Sequence, residues 1–170
     1  MMEHHFETLT ILAEITTAFV AFSAIIVSIR LTFGERLSRF QTLLVQFFTE
    51  SGMLAVSLCL IPLILWGFKE DIEWVALVTT WLTLITTTTY LAIYLRRRFQ
   101  IDVKTPFISV IVMIGYGLWE IGLIITLMGI YWPPSLAIVT AFLFWALCSS
   151  VIVFLFFLSM FIGEDRAESR

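Results

Sequence analysis

Of the 170 residues, 60% are hydrophobic and 14% are charged, and the mean hydropathy is +1.00. A soluble domain is about half apolar and about a quarter charged, so this excess calls for bilayer lipid as the solvent of much of the surface. The net charge of −3, without any basic tract, excludes the phosphate-neutralising surface of a nucleic-acid-binding protein.

The N-terminal Met-Met-Glu-His-His lacks the basic start of a secretory signal. The first apolar run, 6–29, is therefore expected to stay in the protein as a membrane helix. Glu3, His4 and His5 ahead of it are expected to form a solvated tail, with no metal site. Glu7, Thr10, Glu14, Thr17, Ala21, Ala24 and Ser28 alternate at spacings of three and four along this run. Small and polar residues mark the protein-facing side of a membrane helix, so this stripe is expected to pack inward. Residues 30–39 form the first connection, with Gly34 as breaker.

The second run, 40–68, is long enough for its first turns to stand in the cytosol. It carries Glu50, with Gln46 one turn earlier, and Pro62, which removes a backbone bond and predicts a kink. After a connection at 69–73, the third run, 74–95, places Ala76, Thr80, Thr83, Thr87, Tyr90 and Tyr94 along one side. The Thr86–Thr89 tract is expected to bond back to its own helix. A third connection, 96–106, ends in Pro106, which suits a helix start.

The fourth run, 107–132, holds Gly115, Gly122 and Gly129 at seven-residue intervals, a seam for close helix approach with Thr126 on the same side. Glu120 projects away from that seam, with Tyr116 one turn earlier. Ile114-Gly115-Tyr116-Gly117 resembles the core of the potassium-channel selectivity filter over four residues. Met113 stands where that family has threonine, and the run lies inside a continuous apolar segment, so Gly packing is the expectation here. A turn at 131–134 leads to the fifth run, 136–162, in which Phe154, Phe156, Phe157 and Phe161 are expected to meet lipid or a partner subunit. Trp81, Trp119 and Trp145 are expected to fill space within the bundle. A polar, frayed tail, 163–170, closes the chain.

Each run exceeds the ~20 residues that cross ~30 Å of hydrocarbon, and in lipid such segments are helical because every backbone polar group needs an internal partner. The predicted fold is an all-α, polytopic five-helix membrane bundle over 1–162. Of the ten basic residues, Arg30, Arg36, Arg39, Arg96, Arg97, Arg98, Lys104, Arg166 and Arg170 fall on one side and Lys69 alone on the other. That bias predicts an external N-terminus and a cytoplasmic C-terminus, in the cell membrane, with the bacterial inner membrane taken as the setting. Trp66, Trp74, Tyr131 and Trp132 mark the outer interface.

Glu14, Glu120 and Glu50 lie within the hydrocarbon spans, with no basic residue expected at their depth. Counted at 1.5 Å per residue from the outer interface, they fall roughly 8, 16 and 24 Å down. A carboxylate at mid-bilayer costs about 2.5–3.5 kcal/mol on insertion scales, so its placement calls for a reason. With Glu7 at the mouth, the three acids suggest a descending route for protons or cations, and a channel or transporter-like protein. The alternatives are a non-conducting subunit or scaffold of a larger membrane complex, and a membrane-disrupting effector. A homo-oligomer or a partner membrane protein is expected, beside the bilayer itself. Both histidines are terminal and no nucleophile–base pair has usable context, so no catalytic residues are expected. Cys59 and Cys148 sit in apolar runs without the spacing of a zinc site, and no cofactor is implied.

Overall fold

The computed structural model describes residues 2–32, 37–101, 106–130 and 132–168, and their side chains except at 2, 3, 30 and 161–168. Five helices follow in order: α1 (Met2–Thr32), α2 (Arg39–Phe68), α3 (Ile72–Phe99), α4 (Phe107–Leu127) and α5 (Leu136–Glu168). All five are long and apolar enough to cross a membrane, and the chain is a multi-pass membrane protein with an all-α helical bundle.

Local chemistry sets the helix ends. Ser38 and Gln41 form a reciprocal capping box that starts α2. The Asp71 side chain accepts from Trp74 N at 3.1 Å and starts α3. The last turn of α3 holds Arg96, Arg97 and Arg98, which suit the negative end of the helix dipole. At the end of α4, Gly129 N–H donates to Thr126 O and Ile130 N–H to Ile125 O, with Gly129 at φ 66°. This Schellman closure needs a left-handed residue and stops α4 at Leu127, short of the expected 132.

The other boundaries also differ from the sequence expectation. α1 begins at Met2, so His4 and His5 belong to a helix rather than a solvated tail. α3 continues through the three arginines expected in a connection, and α5 continues through 163–168, where a frayed tail was expected. Gly34, Lys104, Tyr131 and Arg170 lie outside the described residues. The run Ile114–Gly117 is ordinary helix within α4, not the extended strand of a filter.

α5 touches each of the other four helices, and α2 packs against α1, α3 and α5. Their shared core holds Leu44, Phe48 and Leu58 against Val139, Phe142 and Phe157. Phe48 meets Phe154 edge-on at 5.2 Å and Phe157 at 5.9 Å. Phe154 and Phe157 are therefore core residues, correcting the expectation that they face lipid or a partner. Trp81 is half-exposed on the bundle surface, where interior packing was expected.

α1 shows why small residues alone do not identify the packed face. It buries Leu9, Thr16, Val20, Ser23 and Val27, and a Cβ on Gly52 of α2 would overlap Val20. The expected inward stripe, Thr10, Glu14, Thr17, Ala21, Ala24 and Ser28, is exposed, about a quarter-turn round the helix from the packed face. Two polar-and-small stripes run along this helix, and the one with interspersed Leu and Val packs.

Candidate functional site

Glu120 sits on α4 facing α3 and is 9% exposed. Thr87 Oγ1 lies 2.6 Å from Glu120 Oε1, and Thr88 Oγ1 lies 2.7 Å from Oε2. The Thr86–Thr89 tract supplies this cradle because three of its hydroxyls turn back to the carbonyls of Leu82, Thr83 and Ile85, while Thr88 is left to reach across. Thr87 is shared: its oxygen is also 2.6 Å from Thr83 O and 3.3 Å from Leu84 O. A hydroxyl has one proton to donate and two lone pairs that accept. With Glu120 ionised, Thr87 donates to the carboxylate. With Glu120 protonated, the acid can donate to Thr87 while Thr87 donates to Thr83 O.

Thr87 also borders a small void of about 10 Å³, walled further by Ser51, Tyr90, Tyr116 and Phe142. That is room for one water at most. The rest of its wall is apolar, with Leu54, Leu58 and Leu143 among it, but several hydroxyls are paired nearby. Ser51 and Ser150 share a hydrogen bond at 2.9 Å, Ser149 bonds Tyr116 at 3.1 Å, and Tyr90 donates to Phe47 O at 3.1 Å. Above Thr87 on α3, Thr83, Thr80 and Thr79 are fully buried. Thr80 and Thr83 donate to Ala76 O and Thr79 O, while the buried Thr79 hydroxyl has no hydrogen-bond partner among the described residues. α3 thus carries a hydroxyl-lined side through the middle of the bundle.

The acids do not converge on one route. Glu50 is not an unpaired acid: Arg97 Nη1 donates to its Oε1 at 2.8 Å and its Oε2 at 2.9 Å, with both side chains about two-fifths exposed. The expectation that no basic residue lies at its depth fails because α3 runs one turn further and a long arginine stem reaches sideways. Glu14 is exposed on the outer side of α1, away from the interior hydroxyls, and Glu7 is exposed above it with His4 at 3.9 Å. Gln46 is exposed and lines a separate groove with Arg39 and Arg97. Tyr116 alone of the expected accessory residues lines the void beside Thr87.

The glycine seam also divides. A Cβ on Gly115 would overlap the Trp145 ring, so α4 and α5 approach closely there. Gly122 has nothing within 4 Å of that position and opens on a groove with Trp119, Thr126 and Trp132, and Gly129 caps the helix. Ser51, Ser149 and Ser150, like the buried Thr79, escaped the sequence reading. Their signal was present, as adjacent hydroxyls in the middle of the Phe- and Leu-rich α5 and one on α2 four residues after Phe47. Comparison of the chain with protein-family models, with curated proteins and with solved structures gave no match.

Proposed function

We propose that this membrane protein transfers protons, with Glu120 as its exchangeable site. The carrying observation is the position of Thr87, whose single hydroxyl proton has both Glu120 and the Thr83 carbonyl as acceptors at 2.6 Å. When a water beside Thr87 gives a proton to the hydroxyl as the hydroxyl passes its own to the carboxylate, or the reverse, a rotation of Thr87 toward Thr83 O resets the path without a change in helix packing. The void next to Thr87 takes one water but not a hydrated cation, which favours protons over the wider cation route. Ser51, Tyr90 and Tyr116 continue the polar lining toward the arginine-rich end. Glu50 and Arg97 neutralise each other there and are not exchange sites in this reading.

Purified protein reconstituted in vesicles with an internal pH dye is expected to relax an imposed pH step faster than empty vesicles. Glu120→Gln should abolish that relaxation and Thr87→Val should slow it, because valine keeps the shape and removes the rotor. Glu14→Gln should leave it unchanged. Relaxation equal to that of empty vesicles, or full activity in Glu120→Gln, rejects the reading.

A second reading, of self-association, is favoured by one observation. Glu14 lies in the span with no partner among the described residues, on an exposed face of Thr10, Thr17, Ala21 and Ala24. Lipid cannot hydrogen-bond a carboxyl, whereas a second copy of α1 presents Thr10 and Thr17 oxygens and lets the backbones approach. Cross-linking in membranes should trap a dimer in the native chain and lose it in Ala21→Leu. A cross-linking pattern unaffected by that change counts against the second reading alone.

A further inference from the structure

At the arginine-rich end, the first two turns of α2 and the last turn of α3 enclose an open groove of about 290 Å³. Arg39 and Gln46 line it from α2 and Arg97 and Gln100 from the end of α3, over a floor that includes Leu43 and Ile101. Its donors are uncommitted. Arg39, Gln46 and Gln100 make no side-chain hydrogen bond or ion pair among the described residues, and Arg97 engages Glu50 through Nη1 alone. Its walls are fixed: Glu50 holds the Arg97 guanidinium, and Arg98 packs over the Phe40 ring at 5.5 Å while donating to Ile101 O at 3.0 Å. With the Glu50 charge spent on Arg97, Arg39 leaves the groove one positive charge in excess among the described residues.

Arg39 also stands at the first position of α2, where the helix dipole disfavours a cation, and no acid lies in that first turn. Two guanidinium groups and two amides converging on one groove match the donor needs of a phosphate group, which takes several N–H donors at once. The groove lies at the ends of the apolar α2 and α3 spans, the level at which a spanning helix meets lipid headgroups.

We propose that this groove binds a phosphate group, with Arg39 and Arg97 as the charged contacts and Gln46 and Gln100 as the neutral donors. The phosphate comes either from an anionic lipid headgroup or from free phosphate in the aqueous phase. The inference is independent of proton transfer at Glu120. Arg97 has a second duty toward Glu50, so the test uses Arg39→Gln and, separately, Gln100→Leu, both at exposed positions.

Full-length protein in detergent is examined by native mass spectrometry after incubation with phosphatidylglycerol or phosphatidylcholine, and its thermal unfolding is followed against inorganic phosphate. Retention of phosphatidylglycerol over phosphatidylcholine, weakened about tenfold by Arg39→Gln, assigns the site to a lipid headgroup. Stabilisation by inorganic phosphate that both variants lose, without lipid preference, assigns it to free phosphate. Each variant is compared with the native chain in phosphate-free, lipid-free detergent, where equal unfolding temperatures establish that the fold is intact. Lipid retention and phosphate response unchanged in both variants overturn the proposal.

Discussion

At the scale of single residues, two contrasts separate packing from charge. In the Glu50–Arg97 pair one guanidinium nitrogen reaches both carboxylate oxygens and both side chains are partly exposed, so its contribution falls within the range of surface ion pairs, at most about 1 kcal/mol. Glu50→Gln and Arg97→Gln are each expected to lower stability by about that much, and the double change by less than the sum. Unfolding of all four forms in one detergent measures the coupling; strict additivity would show that the pair contributes nothing. The glycines give a sharper ranking. Gly115→Ala drives a Cβ into the Trp145 ring and is expected to cost about 1–3 kcal/mol. Gly122→Ala meets open space in a helix interior and is expected to stabilise by up to about 1 kcal/mol. Gly129→Ala has space but sits at φ 66°, which costs about 1–2 kcal/mol. Thermal unfolding should place Gly115→Ala as the most damaging and Gly129→Ala next, with Gly122→Ala alone above the native protein.

At the scale of the helix, the ends carry the informative chemistry. Asp71 caps α3 through Trp74 N and pairs with Lys69 at 2.9 Å, and both contacts hold its carboxyl below the ordinary value. A carboxyl lowered in the folded state stabilises above its unfolded pKa of about 3.9, and that contribution is lost as pH falls through the folded value. Protection of the first α3 amides from hydrogen exchange should therefore hold from neutral pH to about 5 and weaken on further acidification. Asp71→Asn keeps an acceptor for Trp74 N and should remove that acid response. The existence and rough length of all five helices were legible in the sequence, because uninterrupted apolar runs must be helical in lipid. Their ends were not: an arginine triplet looks like a connection until the partner for Arg97 is known, and a glycine looks like a seam until its φ is known. The candidate site was half legible. Glu120 stands out as an acid among Ile, Leu and Gly, whereas its pairing with Thr87 and Thr88 depends on the rotation of α3 against α4, which neither helix specifies alone. Glu50 and Glu14 looked equivalent to it because depth can be counted along a chain, whereas the rotation of each helix toward its neighbours cannot.

At the scale of the whole molecule, the charge distribution predicts which end faces which side. Counted along the sequence, nine of the ten basic residues fall in or beside the same set of connections; among the described residues, Arg30, Arg39, Arg96, Arg97 and Arg98 lie at one end of the helices and Lys69 at the other, beside Glu70, Asp71 and Glu73. Basic residues close to span ends resist translocation, and acids contribute little to the bias, so the Glu50 carboxylate opposite Arg97 does not weaken it. In a background with Cys59 and Cys148 replaced by alanine, Glu70→Cys is expected to react with a membrane-impermeant maleimide on intact cells. Gln100→Cys should react only after the membrane is opened. The orientation is also expected to respond to charge in a graded way. Converting Glu70 and Glu73 to lysine while neutralising Arg96 and Arg97 shifts the count from nine against one to seven against three. Part of the population should then label at Gln100→Cys from outside. A native chain that labels at Gln100→Cys on intact cells would reverse the orientation and place the Arg39 groove on the external face, while a charge-converted chain with unaltered labelling would show that something other than basic residues sets the topology.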